Sequence, residues 1–94
     1  PVVIEKYEVR VSGSRYRPLY MTRLIEKTYD EHVRSGARYM VATSQMYGAV
    51  LSHPERDPAR YQAYRSLFTQ ATEVARFTPS VDRPGPELII FELR

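Results

Sequence analysis

The sequence predicts an α/β fold: one small domain, with a mixed, mostly parallel four-stranded sheet, helices packed on it and a C-terminal antiparallel hairpin. Three observations carry this expectation. Val3, Tyr7, Val9 and Val11 recur at period two, with Lys6, Glu8 and Arg10 on the other face, which reads as a half-buried strand over Val2 to Val11. A helix-period segment then separates it from a second short apolar run, and such a crossover makes two strands parallel. Near the end, two strand-like segments flank a proline-rich turn.

The elements follow in order. Ser12-Gly13-Ser14 ends the first strand, and Pro18 keeps the next loop non-helical. Thr22 is placed to cap a helix running to Ser35, with Leu24, Ile25, Thr28, Tyr29, His32 and Val33 as its apolar stripe and Gly36 as its left-handed stop. Arg38 to Thr43 is the second strand. Its run Tyr39-Met40-Val41-Ala42 has the look of a strand covered on both faces. Ser44 begins a short helix to about Leu51. Asp57-Pro58 then supplies a cap and a first-turn proline for a helix with Tyr61, Tyr64, Leu67, Phe68 and Ala71 on one face. Val74 to Thr78 is the third strand, Pro79 to Pro86 a turn-rich loop, and Glu87 to Leu93 the fourth strand.

At 94 residues and 43% hydrophobic composition, the chain is long enough for one core. No apolar run reaches the roughly 18 residues of a membrane span. Pro1 stands where an initiator methionine would, so the sequence is read as a processed protein or an excised piece of a longer one. There are no cysteines, which excludes disulfides and thiolate metal sites and leaves the compartment open. A net charge of +3 is too mild to suggest nucleic-acid binding. The one basic concentration is Lys6 to Arg23, where Arg15 and Arg17 lie among Tyr16 and Tyr20. That stretch reads either as a solvated loop or as a contact for phosphates or lipid headgroups.

The sequence lacks GxSxG, a phosphate loop and GxGxxG, and its two histidines have no nearby ligand cluster, so neither a metal nor a cofactor is expected. His32, on an apolar stripe, reads as a packed imidazole, and His53, before Pro54, as exposed. Glu5 lies on the apolar face of its strand, where strand-end exposure or pairing with a basic residue would explain it. Thr43, Ser44 and an exposed Tyr47 are the candidate binding residues. Free amides at a helix start, two hydroxyls and a phenol suit an anionic or sugar ligand, and a plain helix cap accounts for the same residues.

Read together, "IEKYEV", "GARYMVATSQMYGAVL", "HPERDPARYQAYRSLF", "VARFTPS" and "RPGPELIIFEL" resemble the soluble C-terminal domain of polytopic bacterial glycosyltransferases of the GT-C, dolichyl-phosphate-mannose protein-mannosyltransferase-like class. Gly36, Tyr39, Ser44, Met46 and Tyr47 match the first strand-helix motif. Pro54, Glu55, Arg56, Tyr64, Leu67 and Phe68 match the second, and Gly85, Pro86, Ile89 and Leu93 the closing strand. Thr43 before Ser44 and Gln45 after it depart from the pattern. The resemblance implies a parent that transfers a sugar from a polyprenyl-phosphate donor at the outer face of the membrane, with its catalytic carboxylate in the membrane portion. The chain itself would then be a non-catalytic accessory domain on the extracytoplasmic side. Its partners would be the parent's membrane portion, the sugar acceptor or lipid headgroups. A second reading stays open: a proline followed by strand, helix and parallel strand is also the layout of tautomerases, where Pro1 would act as general base and Arg10, Arg15 or Arg38 would bind a carboxylate. A third is a freestanding interaction module using the basic, tyrosine-bearing loop.

Overall fold

A computed structural model describes residues 2–5, 19–82 and 84–93. It is an α/β domain with a mixed sheet, helices packed on it and a C-terminal antiparallel strand pair. The strands are β1 (Val2–Glu5), β2 (Leu19–Met21), β3 (Tyr39–Thr43), β4 (Thr72–Phe77) and β5 (Leu88–Glu92), in the spatial order β2-β1-β3-β5-β4. β1 pairs in parallel with β2 and β3, whereas β5 is antiparallel to β3 and β4. The four expected strands are thus present, and the three-residue β2 extends the sheet at one edge. The remainder of the expected first strand, 6–11, lies outside the described residues.

Side chains alternate across the sheet. Val3, Met40, Ala42, Ile89 and Phe91 are buried beneath the helices together with Leu24, Tyr47, Tyr64 and Leu67. Burying a large apolar side chain contributes about 1.5–3 kcal/mol, so this one-sided layer dominates the favourable energy. The next row, Ile4, Val41, Ile90 and Ala75, is only half-buried. β3 is therefore half-covered, not covered on both faces as its apolar run suggests, because the helices gather on a single face. β4 is the opposite edge. A bulge between Glu73 and Ala75 and the charged pair Arg76–Glu73 at 2.7 Å keep that edge from templating a further strand.

The expected helix from Thr22 to Ser35 is not continuous. Leu24–Glu26 form a 3-10 turn, and α1 covers only Tyr29–Arg34. Its cap is Thr28 and not Thr22: the Thr28 hydroxyl accepts from the Glu31 amide at 3.2 Å, and the Glu31 carboxylate accepts from the Thr28 amide at 3.0 Å. The stripe that looked like one helix comprises two short pieces, each driving one residue into the core, Leu24 and His32. Gly36, at φ 89°, turns the chain into β3. α2 (Ser44–Ser52) follows directly from β3, and α3 (Pro58–Gln70) starts at Asp57, whose carboxylate accepts from the Arg60 amide at 3.1 Å. α3 buries Tyr64 and Leu67 and packs Phe68 and Ala71 against the core, as its spacing predicts, whereas Tyr61, expected on the same face, lies outside the core cluster and accepts from Arg65 at 3.1 Å.

Candidate functional site

The parallel strands β1, β2 and β3 finish on one side of the sheet, at Glu5, Met21 and Thr43, where α/β folds commonly bind ligands. Strand alternation places Glu5 on the same face as Val3, beneath the helices, and it is 2% exposed. Its Oε2 accepts from the Leu24 amide at 2.9 Å and from the Tyr64 hydroxyl at 2.6 Å, and its Oε1 accepts from the Thr43 amide at 3.3 Å. Arg23 Nη1 donates to Tyr64 Oη at 3.2 Å and to the Met46 carbonyl at 2.9 Å. Burial lifts the Glu5 carboxyl above its usual range, and the three donors and the Arg23 charge oppose that rise. Burial and then the Glu5 acceptor push the Tyr64 phenol upward. Among the described residues, neither strand-end exposure nor a direct basic partner describes Glu5. Backbone amides and a phenol hold it, and Arg23 acts through that phenol.

The second cluster contains the sequence-predicted residues. The Ser44 hydroxyl accepts from the Glu87 amide, and the Ser44 amide donates to the Glu87 carbonyl, each at 2.9 Å. The Thr43 hydroxyl accepts from the Gln45 amide at 3.4 Å, so these two helix-start amides are already engaged. Tyr47 is buried at 6% exposure, which corrects the expectation of an exposed phenol. Its ring meets Phe68 edge-on at 5.7 Å, and its hydroxyl donates to Glu87 Oε1 at 2.5 Å. Arg76 Nη1 donates to the same oxygen at 2.9 Å while Arg76 also pairs with Glu73. The Tyr47 bond and the Arg76 charge hold the Glu87 carboxyl below its ordinary value. The Tyr47 phenol is raised by burial and by that carboxylate.

Thr43, Ser44 and Tyr47 are thus brought together, but their polar atoms face this chain's own groups. Arg15 and Arg17, like Pro1 and Arg10, lie outside the described residues. Arg38 sits at the far end of the sheet, 3.8 Å from Glu92. Open cavities of about 500 Å³, beside Arg38 and Glu92, and about 350 Å³, beside Arg76 and Phe77, do not include the three candidates. Among the described residues no group of acidic or imidazole side chains could hold a metal ion. Sequence reading passed over Tyr64, Arg23, Arg76 and Glu87 as polar partners. Only Glu5 on an apolar face signalled the first cluster, and nothing local signalled the second.

One consequence is measurable. Tyr47→Phe removes the bond to Glu87 but keeps the ring contact with Phe68, and Arg76 still satisfies that carboxylate. A loss of about 1 kcal/mol in urea unfolding is expected. A loss several times larger would mean that the phenol does more than tie α2 to the β5 entrance.

No protein-family description, curated protein or solved structure matches the chain.

Proposed function

We propose that this chain is a non-catalytic accessory domain of a polytopic GT-C-type bacterial glycosyltransferase that uses a polyprenyl-phosphate sugar donor. It lies on the extracytoplasmic side and contacts the membrane surface, the acceptor or the rest of its parent. The observation that supports this reading is the engagement of the hydroxyls of Thr43, Ser44, Tyr47 and Tyr64 by groups of this chain. A hydroxyl nucleophile needs an adjacent general base and room for a reacting carbon. Ser44 has the Glu87 backbone as its partner instead. Several of the residues that carry the resemblance are architectural: Met46, Tyr47, Tyr64, Leu67, Ile89 and Leu93 are buried, and Gly36 and Gly85 hold positive φ, whereas Glu55, Arg56 and Pro86 are exposed. The architectural ones define a scaffold, and the resemblance places the reacting carboxylate in the parent's membrane portion.

The membrane-contacting form of the proposal rests on the basic stretch around Arg15 and Arg17. Each basic residue close to an anionic surface contributes about 1 kcal/mol. Replacing both with Ala should therefore lower co-sedimentation with anionic liposomes roughly thirtyfold at low salt. High salt should abolish the difference by screening. Absence of binding at every salt concentration would overturn a membrane-facing loop.

A further inference from the structure

Of the six residues of α1 only His32 is buried, and it is fully so. A helix this short does not stand by itself in water, so its place depends on that ring and on the partly buried Tyr29 and Val33. The imidazole Nε2 lies 2.8 Å from the Leu24 carbonyl. A carbonyl only accepts, so the proton is on Nε2, and Nδ1 keeps its lone pair with no hydrogen-bond partner among the described residues. Leu24, also fully buried, is held at its amide by Glu5. The 3-10 turn and α1 are thus pinned through one peptide segment gripped by two buried ionisable side chains.

A neutral ring suits this slot and an imidazolium does not. Protonation would place an N–H on Nδ1 where nothing accepts it, and a charge in the dry interior. Burial, the leading cause, makes His32 harder to protonate than a free imidazole. The Leu24 carbonyl offsets it, Lys27 adds to it and Glu31 opposes it. The other charged or titratable groups on the surrounding elements are Tyr29, Asp30 and Arg34 on α1, Arg23 and Glu26 at the 3-10 turn, Glu5 on β1, and Arg60, Tyr61, Tyr64 and Arg65 on α3. Glu5 and Tyr64 are occupied with each other and with Leu24, Thr43 and Arg23.

We infer that α1 and the 3-10 turn form an acid-released latch, in which uptake of a proton by His32 frees this segment from α3 while the sheet, α2 and α3 stay folded. The sign follows from linkage. A group harder to protonate when folded stabilises fully above its unfolded value of 6.5, and that contribution is lost as pH falls from there toward the lower folded value. Glu5 has the opposite sign, because acid relieves the cost of its buried charge, so its bond to the Leu24 amide opposes the release and the pH dependence of the latch comes from His32. The capping box also survives, since the Thr28 amide and hydroxyl hold the Glu31 carboxyl below its usual range.

Amide hydrogen exchange, corrected for the intrinsic pH dependence of exchange, tests the latch between about pH 7.5 and about pH 5. Protection in the 3-10 turn and α1 should fall by up to about tenfold per pH unit below 6.5 while β3 and β5 amides hold theirs. His32→Phe fills the slot without a titrating group and should flatten that dependence. If this variant does not fold, nitrogen NMR of the unchanged protein reads the same event, with the Nε2–H tautomer persisting until α1 protection is lost. Equal loss of protection in α1, β3 and β5, unchanged pH dependence in His32→Phe, or protonation of His32 with α1 still protected would each overturn the latch.

Discussion

Glu5→Ala is expected to lower the unfolding free energy by about 3–5 kcal/mol. Three donors converge on this carboxylate: the amides of Leu24 and Thr43 and the hydroxyl of Tyr64. Alanine leaves all three without their acceptor in a region that is nearly sealed, and the Arg23 contacts with Tyr64 and Met46 do not replace it. A domain of this length has a total stability of about 5–14 kcal/mol, so the variant should be marginal, with a sharply lower urea midpoint. Glu5→Gln is the informative companion. It keeps an acceptor oxygen but turns an NH₂ group toward a donor, for an expected loss of about 1–3 kcal/mol. It also removes the charge. Because the folded Glu5 carboxyl titrates above its unfolded value of 4.5, the unchanged protein is favoured below that value and loses stability as pH rises through the raised folded value. Glutamine does not titrate. The gap between the two proteins in urea unfolding should therefore narrow as pH rises from about 4.5, and a gap that widens would contradict the role assigned to burial.

Phe91→Ala should cost about 3–5 kcal/mol. Phe91 is 3% exposed on β5, paired in register with Met40, and it stacks on Phe68 with ring centroids 4.6 Å apart and planes 25° apart. Phe68 in turn meets Tyr47 and Tyr64, so one aromatic set joins the sheet to α2 and α3. Truncation leaves a cavity at the point where three elements meet and takes away the stacked partner of Phe68. Phe91→Leu, which keeps most of the volume, should cost less than about 1.5 kcal/mol. Urea midpoints at constant slope would measure both. Similar losses for the two variants would mean that the aromatic contact, and not the filled volume, carries the effect.

Much of the architecture was legible because it depends on short-range patterning. Alternation along Ile89–Leu93, the Asp57-Pro58 start of α3 and the Gly36 stop all act within one turn or one strand, and a sequence displays them directly. The Thr22 cap failed for a related reason. Thr28-x-x-Glu31 is the stronger local signal, and the apolar stripe ahead of it is equally compatible with a strand, a turn and a short helix. The burial of Leu24 against the rest of the fold decides among those.

The candidate site divides the same way. Proximity of Thr43, Ser44 and Tyr47 is a matter of adjacent positions at a strand-to-helix junction, and a sequence suffices to see it. Whether their hydroxyls face a ligand or the protein depends on Glu87, 40 positions from Tyr47. In the same way the carboxylate of Glu5 finds its phenol 59 positions away, in Tyr64. A single chain read in order therefore determined the fold class, the principal strands, the starts of α2 and α3 and most of the apolar face of α3. Only the tertiary structure decided that Tyr47 is buried, that Glu5 is held by three donors and that His32 anchors α1. Helix caps and strand faces arise from neighbours a few residues apart, whereas the partners of buried polar groups are chosen by the packing of distant segments.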